Sequence, residues 1–144
     1  MTEVDSFTKK FTKDRISNVV QINRNFFQVN EELMNFKAKI KQEPFALGTY
    51  LGSGKPFHPG VALLDWLDKR TENYIVIDKK AAWLFLCGRD LFAESVIRQN
   101  VNDGKLVLIK NENDEVLGLG ERTGRKVSIK NLLDKGDFLR RERH

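Results

Sequence analysis

Apolar residues in the first half of the chain recur mainly at helical spacing. SFTKKFTKDRISNVV places Phe7 and Phe11 four apart with Ile16 beyond, which predicts a short amphipathic helix. NFFQV reads as a strand. NEELMNFKAKI sets Leu33, Phe36 and Ile40 on one helical face behind Asn30, a suitable cap, and Pro44 bars that helix from passing Glu43. ALGTYLGSGKPFHPG, dense in glycine and proline, predicts strand and turn. Pro59 suits the first turn of a helix over VALLDWLDKR, with Val61, Leu64, Trp66 and Leu67 as its apolar side. The polar, aperiodic DKRTEN then predicts a domain boundary near residue 73.

Beyond that point the pattern turns to strands. NYIVID is β-branched and alternating. AAWLFLC is continuously apolar and reads as a fully buried strand, although periodicity alone does not exclude a helix, with Trp83 and Phe85 read as core residues ahead of base-stacking platforms. RDLFAESVI returns to helical spacing, while KLVLIK and EVLGLGE flank the polar NEND as a β-hairpin. RKVSI makes another strand, KNLLDKG a turn or single helical turn, and DFLRRER a last short strand and tail. So many strands in so short a segment predict a small, partly closed barrel, which limits exposed sheet edges. The expected fold class is α+β: a small N-terminal α/β domain over residues 1–73 and a β-barrel with one main helix over residues 74–144.

Composition narrows the setting. A chain of 144 residues can bury roughly 70% of its unfolded surface and needs neither disulfides nor a metal for stability. Its single cysteine, Cys87, allows no intrachain disulfide, and no stretch has signal-peptide or transmembrane character, so a cytoplasmic protein is expected, nucleolar if the source is eukaryotic. The net charge of +5 is uneven: residues 121–144 hold 8 basic and 4 acidic side chains, whereas residues 74–120 hold 6 and 7. A basic C-terminal segment suits a polyanionic partner.

The inventory argues against an enzyme. Two histidines and one cysteine cannot build a zinc cluster or a local Cys-His pair, and His58 in FHPG reads as a turn residue. No phosphate-binding GxxxxGK[ST] occurs, and neither GSG nor GLG completes a dinucleotide fingerprint. No cofactor or metal is expected. Glycines inside EVLGLGE mark either a barrel corner or a bare surface that a sugar-phosphate chain can approach.

FLCGRDLF, then GKLVLI…DEVLGLGE, then a basic strand and GDFLRRE resembles the PUA domain, a module that binds structured RNA. The resemblance implies that Gly88 is a turn glycine leading into a helix, with Arg89 and Asp90 at the helix start near phosphate. FFQVNEELMNFKAKI, LGTYLGSGKPFHPGVALLDWL and WLFLCGRDLFAESV, in that order, are similar to the Nip-seven family of ribosome-biogenesis factors over roughly residues 20–144. The N-terminal region is shorter than that family's. The resemblance implies a non-catalytic factor acting on large-subunit precursor rRNA, with protein partners available to the N-terminal domain and no membrane. It points to Arg122, Arg125, Lys126 and Lys130 as RNA contacts, joined by Gly88, Arg89, Lys79 and Lys80. By period two along a strand, Arg122, Lys126 and Lys130 are expected on one face. The rival reading is an RNA-targeting subunit of a tRNA- or rRNA-modifying enzyme; a third is a protein adaptor. Phe92 and Phe138 stay open between core and base stacking.

Overall fold

The computed structural model describes residues 2–39, 47–101, 105–123 and 127–137. The chain divides into two compact units, Met1–Leu67 and Asp68–His144.

The first unit opens with helix α1 (Glu3–Thr8), fixed by a reciprocal cap in which Asp5 N donates to Thr2 Oγ1 and Thr2 N donates to Asp5 Oδ2. The helix expected over residues 6–20 stops early. Asn18 takes a left-handed φ of 56°, and Val19–Ile22 becomes strand β1. β1, β2 (Asn25–Gln28), β3 (Thr49–Ser53) and β4 (His58–Pro59) form one antiparallel sheet in that order. Helix α2 (Glu31–Lys39) starts as expected at Asn30, whose Oδ1 accepts from Leu33 N at 2.8 Å. Of the apolar face expected for it, Leu33 is partly buried against Ile22, Phe27, Val29 and Leu47, Phe36 is exposed, and Ile40 lies outside the described residues. Helix α3 (Val61–Asp68) buries Leu63, Leu64 and Leu67. Pro59 does not open it: Pro59 is in β4, and Gly60 supplies the carbonyl that takes Leu64 N.

The second unit is built on a six-stranded sheet in the order β6-β10-β9-β8-β5-β7. Its strands are β5 (Tyr74–Ile77), β6 (Leu91–Phe92), β7 (Val96–Asn100), β8 (Leu106–Lys110), β9 (Val116–Arg122) and β10 (Val127–Asp134). The predicted strand at NYIVID and the predicted hairpin are present as β5 and β8–β9. β5 and β8 run parallel, and every other pairing in this sheet is antiparallel. The edge strands β6 and β7 are consecutive in the chain, joined only by the short 3-10 helix Ala93–Ser95. Four residues from Phe92 to Val96 reach about 14 Å at most. A flat six-stranded sheet would separate its edges by about 24 Å. The sheet must therefore curl, as the barrel expectation required.

Two element assignments are corrected here. AAWLFLC is not a strand: residues Lys79–Leu86 form helix α4. Asp78 caps it, its Oδ1 accepting from Ala81 N at 2.8 Å. The apolar run is continuous because the helix packs Ala81, Ala82 and Phe85 into the core while Trp83 faces outward, 67% exposed. RDLFAESVI is not a helix either; it is β6, the 3-10 turn and β7. α4 is the barrel's one main helix, ten residues earlier than expected. KNLLDKG differs over its first five residues, since β10 runs on to Asp134, while Lys135 and Gly136 lie in a helical turn; beyond Asp137, DFLRRER lies outside the described residues.

The core of this unit sits between α4 and one face of the sheet: Ile75, Ile77, Val107, Ile109, Leu117 and Ile129 against Ala81, Ala82 and Phe85. The GLG glycines belong to this packing and are buried. A Cβ on Gly118 would run into the backbone carbonyl of Leu133, and one on Gly120 into Ile129 and Ile109. The GLG motif therefore serves close strand approach and is not a bare surface for a sugar-phosphate chain.

Candidate nucleic-acid interface

The outer side of α4 and the turn that follows it carry most of the expected contact residues within the described range. Lys79 and Lys80 occupy the first turn and are exposed. Cations there run against the helix dipole, so stability alone would not favour them. Cys87 closes the helix, and Gly88 follows at φ +95°. Gly88 N donates to Phe85 O at 2.9 Å and Arg89 N to Leu84 O at 3.1 Å, the paired bonds of a glycine-terminated helix. Gly88 therefore ends a helix and leads into a strand, the reverse of the turn that the resemblance implied. Arg89 and Asp90 are not at a helix start, so Arg89 can act only through its side chain.

One residue of β10 holds this turn in place. Asn131 N donates to Asp90 Oδ1 at 2.8 Å. Asn131 Nδ2 donates to Phe85 O at 2.9 Å, Arg89 O at 3.3 Å and Asp134 Oδ2 at 3.2 Å. Asp134 is buried, and its Oδ1 accepts from Asp137 N at 2.8 Å. The side chain of Asp90 is thus engaged with the sheet, while the side chain of Arg89 makes no ion pair among the described residues.

Two cations of the second unit are paired inside the protein, and the described contact candidates are not. Arg98 Nη2 lies 2.8 Å from Asp114 Oδ1, and Lys110 Nζ lies 2.8 Å from Asp68 Oδ1 and 3.8 Å from Asp114 Oδ1. Both cations also stand over the Tyr74 ring, at 5.9 and 5.3 Å from its centroid. They are neutralised within the protein. Lys79, Lys80, Arg89, Arg122 and Lys130 are exposed and have no acidic partner among the described residues.

Arg122 and Lys130 do not share a face. They lie on different strands, with Arg122 opposite Ile129 and Lys130 opposite Glu121. Cross-strand partners point the same way and successive residues alternate. Arg122 therefore lies on the side of the buried Ile129, toward α4, and Lys130 on the other. The period-two expectation failed because it treated residues of two antiparallel strands, β9 and β10, as one. Arg122 is two strands from Leu91, roughly 10 Å by strand spacing. Arg125 and Lys126 lie outside the described residues. His58, expected in a turn, lies instead in the short strand β4, opposite Ser53 at the edge of the first sheet.

Beside α4 runs an open groove of about 290 Å³, lined by Ala81, Leu84, Arg89, Asp90, Leu91, Phe92 and Ser95. Phe92, left open by the sequence, is 51% exposed on its rim.

Residues 73–143 match the family described as the UPF0113 PUA domain. That match spans nearly all of the second unit. A UPF0113 protein from Archaeoglobus fulgidus is 30% identical over 112 residues, which take in 69% of this chain and 64% of that protein, so the chain spans a little under two thirds of this relative's length. A conserved PUA domain protein from Thermoplasma acidophilum has the same fold at 15% identity, with a TM-score of 0.62 over 99% of this chain and 96% of that one. The curled sheet with α4 against it is the PUA fold. No helix among the described residues is long and apolar enough to cross a membrane.

Two residues of the PUA surface escaped the sequence reading. Trp83 was placed in a core strand, and Asn131 was not singled out. The signal for the first was present: Asp78 before KKAA and Gly88 after Cys87 bracket a helix, and a helix puts Trp83 on the same side as Lys79 and Lys80. No local pattern marks Asn131, because its partners are 41 to 46 residues away apart from Asp134.

Proposed function

We propose that the protein is a non-catalytic RNA-binding factor acting in ribosome biogenesis, on large-subunit precursor rRNA, through the α4 side of its PUA domain. PUA domains commonly bind RNA. The observation that carries the reading is the division of the cations. Arg98 and Lys110 are tied to aspartates, whereas Lys79, Lys80 and Arg89 surround one helix and its closing turn with no acid on them among the described residues. The ordered resemblance of residues 20–144 to the Nip-seven factors supports the ribosomal role.

The lysines act as point charges, and Arg89 offers a planar fork that can donate two hydrogen bonds to one phosphate. Such contacts position a sugar-phosphate chain more than they read its sequence. If Lys79, Lys80, Arg89 and Arg122 each neutralise one phosphate, affinity for single-stranded RNA should fall with salt at a log–log slope of about −3. Anisotropy titrations of labelled RNA over a salt series measure that slope, and a flat response overturns the reading. Crosslinking in cells followed by sequencing of the attached RNA tests the target. Large-subunit precursor sequences support the ribosomal role; tRNA recovered together with one modifying enzyme overturns it.

A further inference from the structure

We infer that Trp83 is a stacking platform for an unpaired RNA nucleotide whose flanking phosphates are held by Lys79, Lys80 and Arg89. This rests on the RNA-binding reading above and specifies the form of RNA that the surface takes.

Trp83 is the most exposed of the large apolar side chains in the described residues, at 67%. Its helix has an adequate core face without it, in Ala81, Ala82 and Phe85. Long helical side chains lean toward the helix N-terminus, so the indole lies over the turn that carries Lys79 and Lys80, four and three residues earlier. Among the described residues no ring or cation stacks on it, whereas Tyr74 is covered by both Arg98 and Lys110. Leu84, the next residue along the helix, lines the groove together with Arg89 and the half-exposed Phe92. An aromatic plane between unpaired cations fits a polymer that alternates aromatic faces with negative charges. Bases within a duplex are already stacked on one another, so only an unpaired base can offer its face to Trp83. The cations favour nucleic acid over an apolar protein segment as the occupant.

The test uses the full chain and two fluorescein-labelled RNAs of equal strand length, a fully paired duplex and an unstructured oligouridine. Stacking on one aromatic residue contributes enough that Trp83→Ala should weaken oligouridine binding between about 5-fold and about 150-fold. Duplex binding should change by less than about 2-fold, since the phosphate contacts remain. Trp83→Phe, which keeps an aromatic face, should retain most of the affinity. In a Trp66→Phe background, oligouridine should quench the remaining indole fluorescence. Equal weakening of both RNAs by Trp83→Ala, or no effect on either, overturns the inference. If in the second case Lys79→Ala and Arg89→Ala still weaken both RNAs, RNA binding stands and Trp83 serves another partner. Failure of the unaltered protein to bind either RNA overturns the RNA-binding reading itself. Should Trp83→Ala not fold, the phenylalanine variant and the quenching experiment decide alone: unchanged indole emission in saturating oligouridine refutes stacking.

Discussion

Replacing Asn131 with alanine tests whether the turn that presents Arg89 is held by the sheet. The substitution removes the Nδ2 bonds to Phe85 O, Arg89 O and Asp134 Oδ2, and leaves the backbone bond from Asn131 N to Asp90 intact. Arg89 O is at an exposed position and can take water in exchange. Phe85 O keeps the N–H of Gly88, so it loses one of its donors and not all of them. The heavier loss falls on the buried Asp134 carboxylate. Two effective hydrogen bonds at about 1 kcal/mol each give a destabilisation of about 2 kcal/mol. For a chain of this length that corresponds to a fall in Tm of about 6 °C. Differential scanning fluorimetry or circular dichroism measures it. The functional consequence is separable. RNA affinity should fall although Asn131 itself meets no phosphate, and the loss should be non-additive with that of Arg89→Ala, because both changes remove the same contact. Asn131→Asp should be worse than alanine, since it sets a second carboxylate beside Asp134 and cannot donate. A Tm within 1 °C of the unaltered protein would show that the turn is held by other contacts, as would strict additivity with Arg89→Ala; the figure is roughly the resolution at which ~0.3 kcal/mol is read.

Gly118→Ala should lower stability by about 1–3 kcal/mol, since the added methyl meets the carbonyl of Leu133 and neither strand can yield; urea unfolding reads the loss. Arg89→Ala should reduce the salt slope on single-stranded RNA by about 0.7, whereas Arg98→Ala, already tied to Asp114, should leave slope and affinity unchanged in the same titration. The Asp5 carboxyl is pushed up by burial, but hydrogen bonds from the Thr2 backbone and hydroxyl and the charge of Arg15 outweigh that and hold it below its ordinary value of 3.8. Its contribution to stability is therefore present above the unfolded carboxyl's pKa and lost as pH falls through the lowered folded value. Asp5→Asn should be less stable than the unaltered protein at neutral pH, with the gap closing in thermal melts taken below about pH 4.

The strands that were legible in the sequence share a simple property: their partners are close in the chain or their residues are β-branched. NYIVID and the hairpin around NEND needed no distant information. What misled was the assumption that continuous apolarity means burial on both faces. In AAWLFLC the run is continuous for two different reasons, core packing at Ala81, Ala82 and Phe85 and exposure at Trp83. Periodicity cannot separate those reasons, but end signals can. Asp78 satisfies a first-turn N–H and Gly88 takes the left-handed conformation after the last turn, and neither position suits a central strand. Moving the helix there also removes it from RDLFAESVI, where Gly88 has already ended it.

The same correction relocates the candidate site. Formal charge along the chain drew attention to residues 121–144, but charge counted by sequence ignores which cations are already neutralised and which face each occupies. The register separates Arg122 from Lys130, and Asp114 takes up Arg98 and shares Lys110 with Asp68. The cations left around α4 come from a segment whose net charge is slightly negative, residues 74–120. Three of its acids are engaged elsewhere: Asp78 on a helix cap, Asp90 on Asn131, Asp114 on Arg98. A basic surface can thus arise from an acidic stretch when the fold assigns its carboxylates to structural hydrogen bonds, and that assignment is written in long-range contacts that composition does not record.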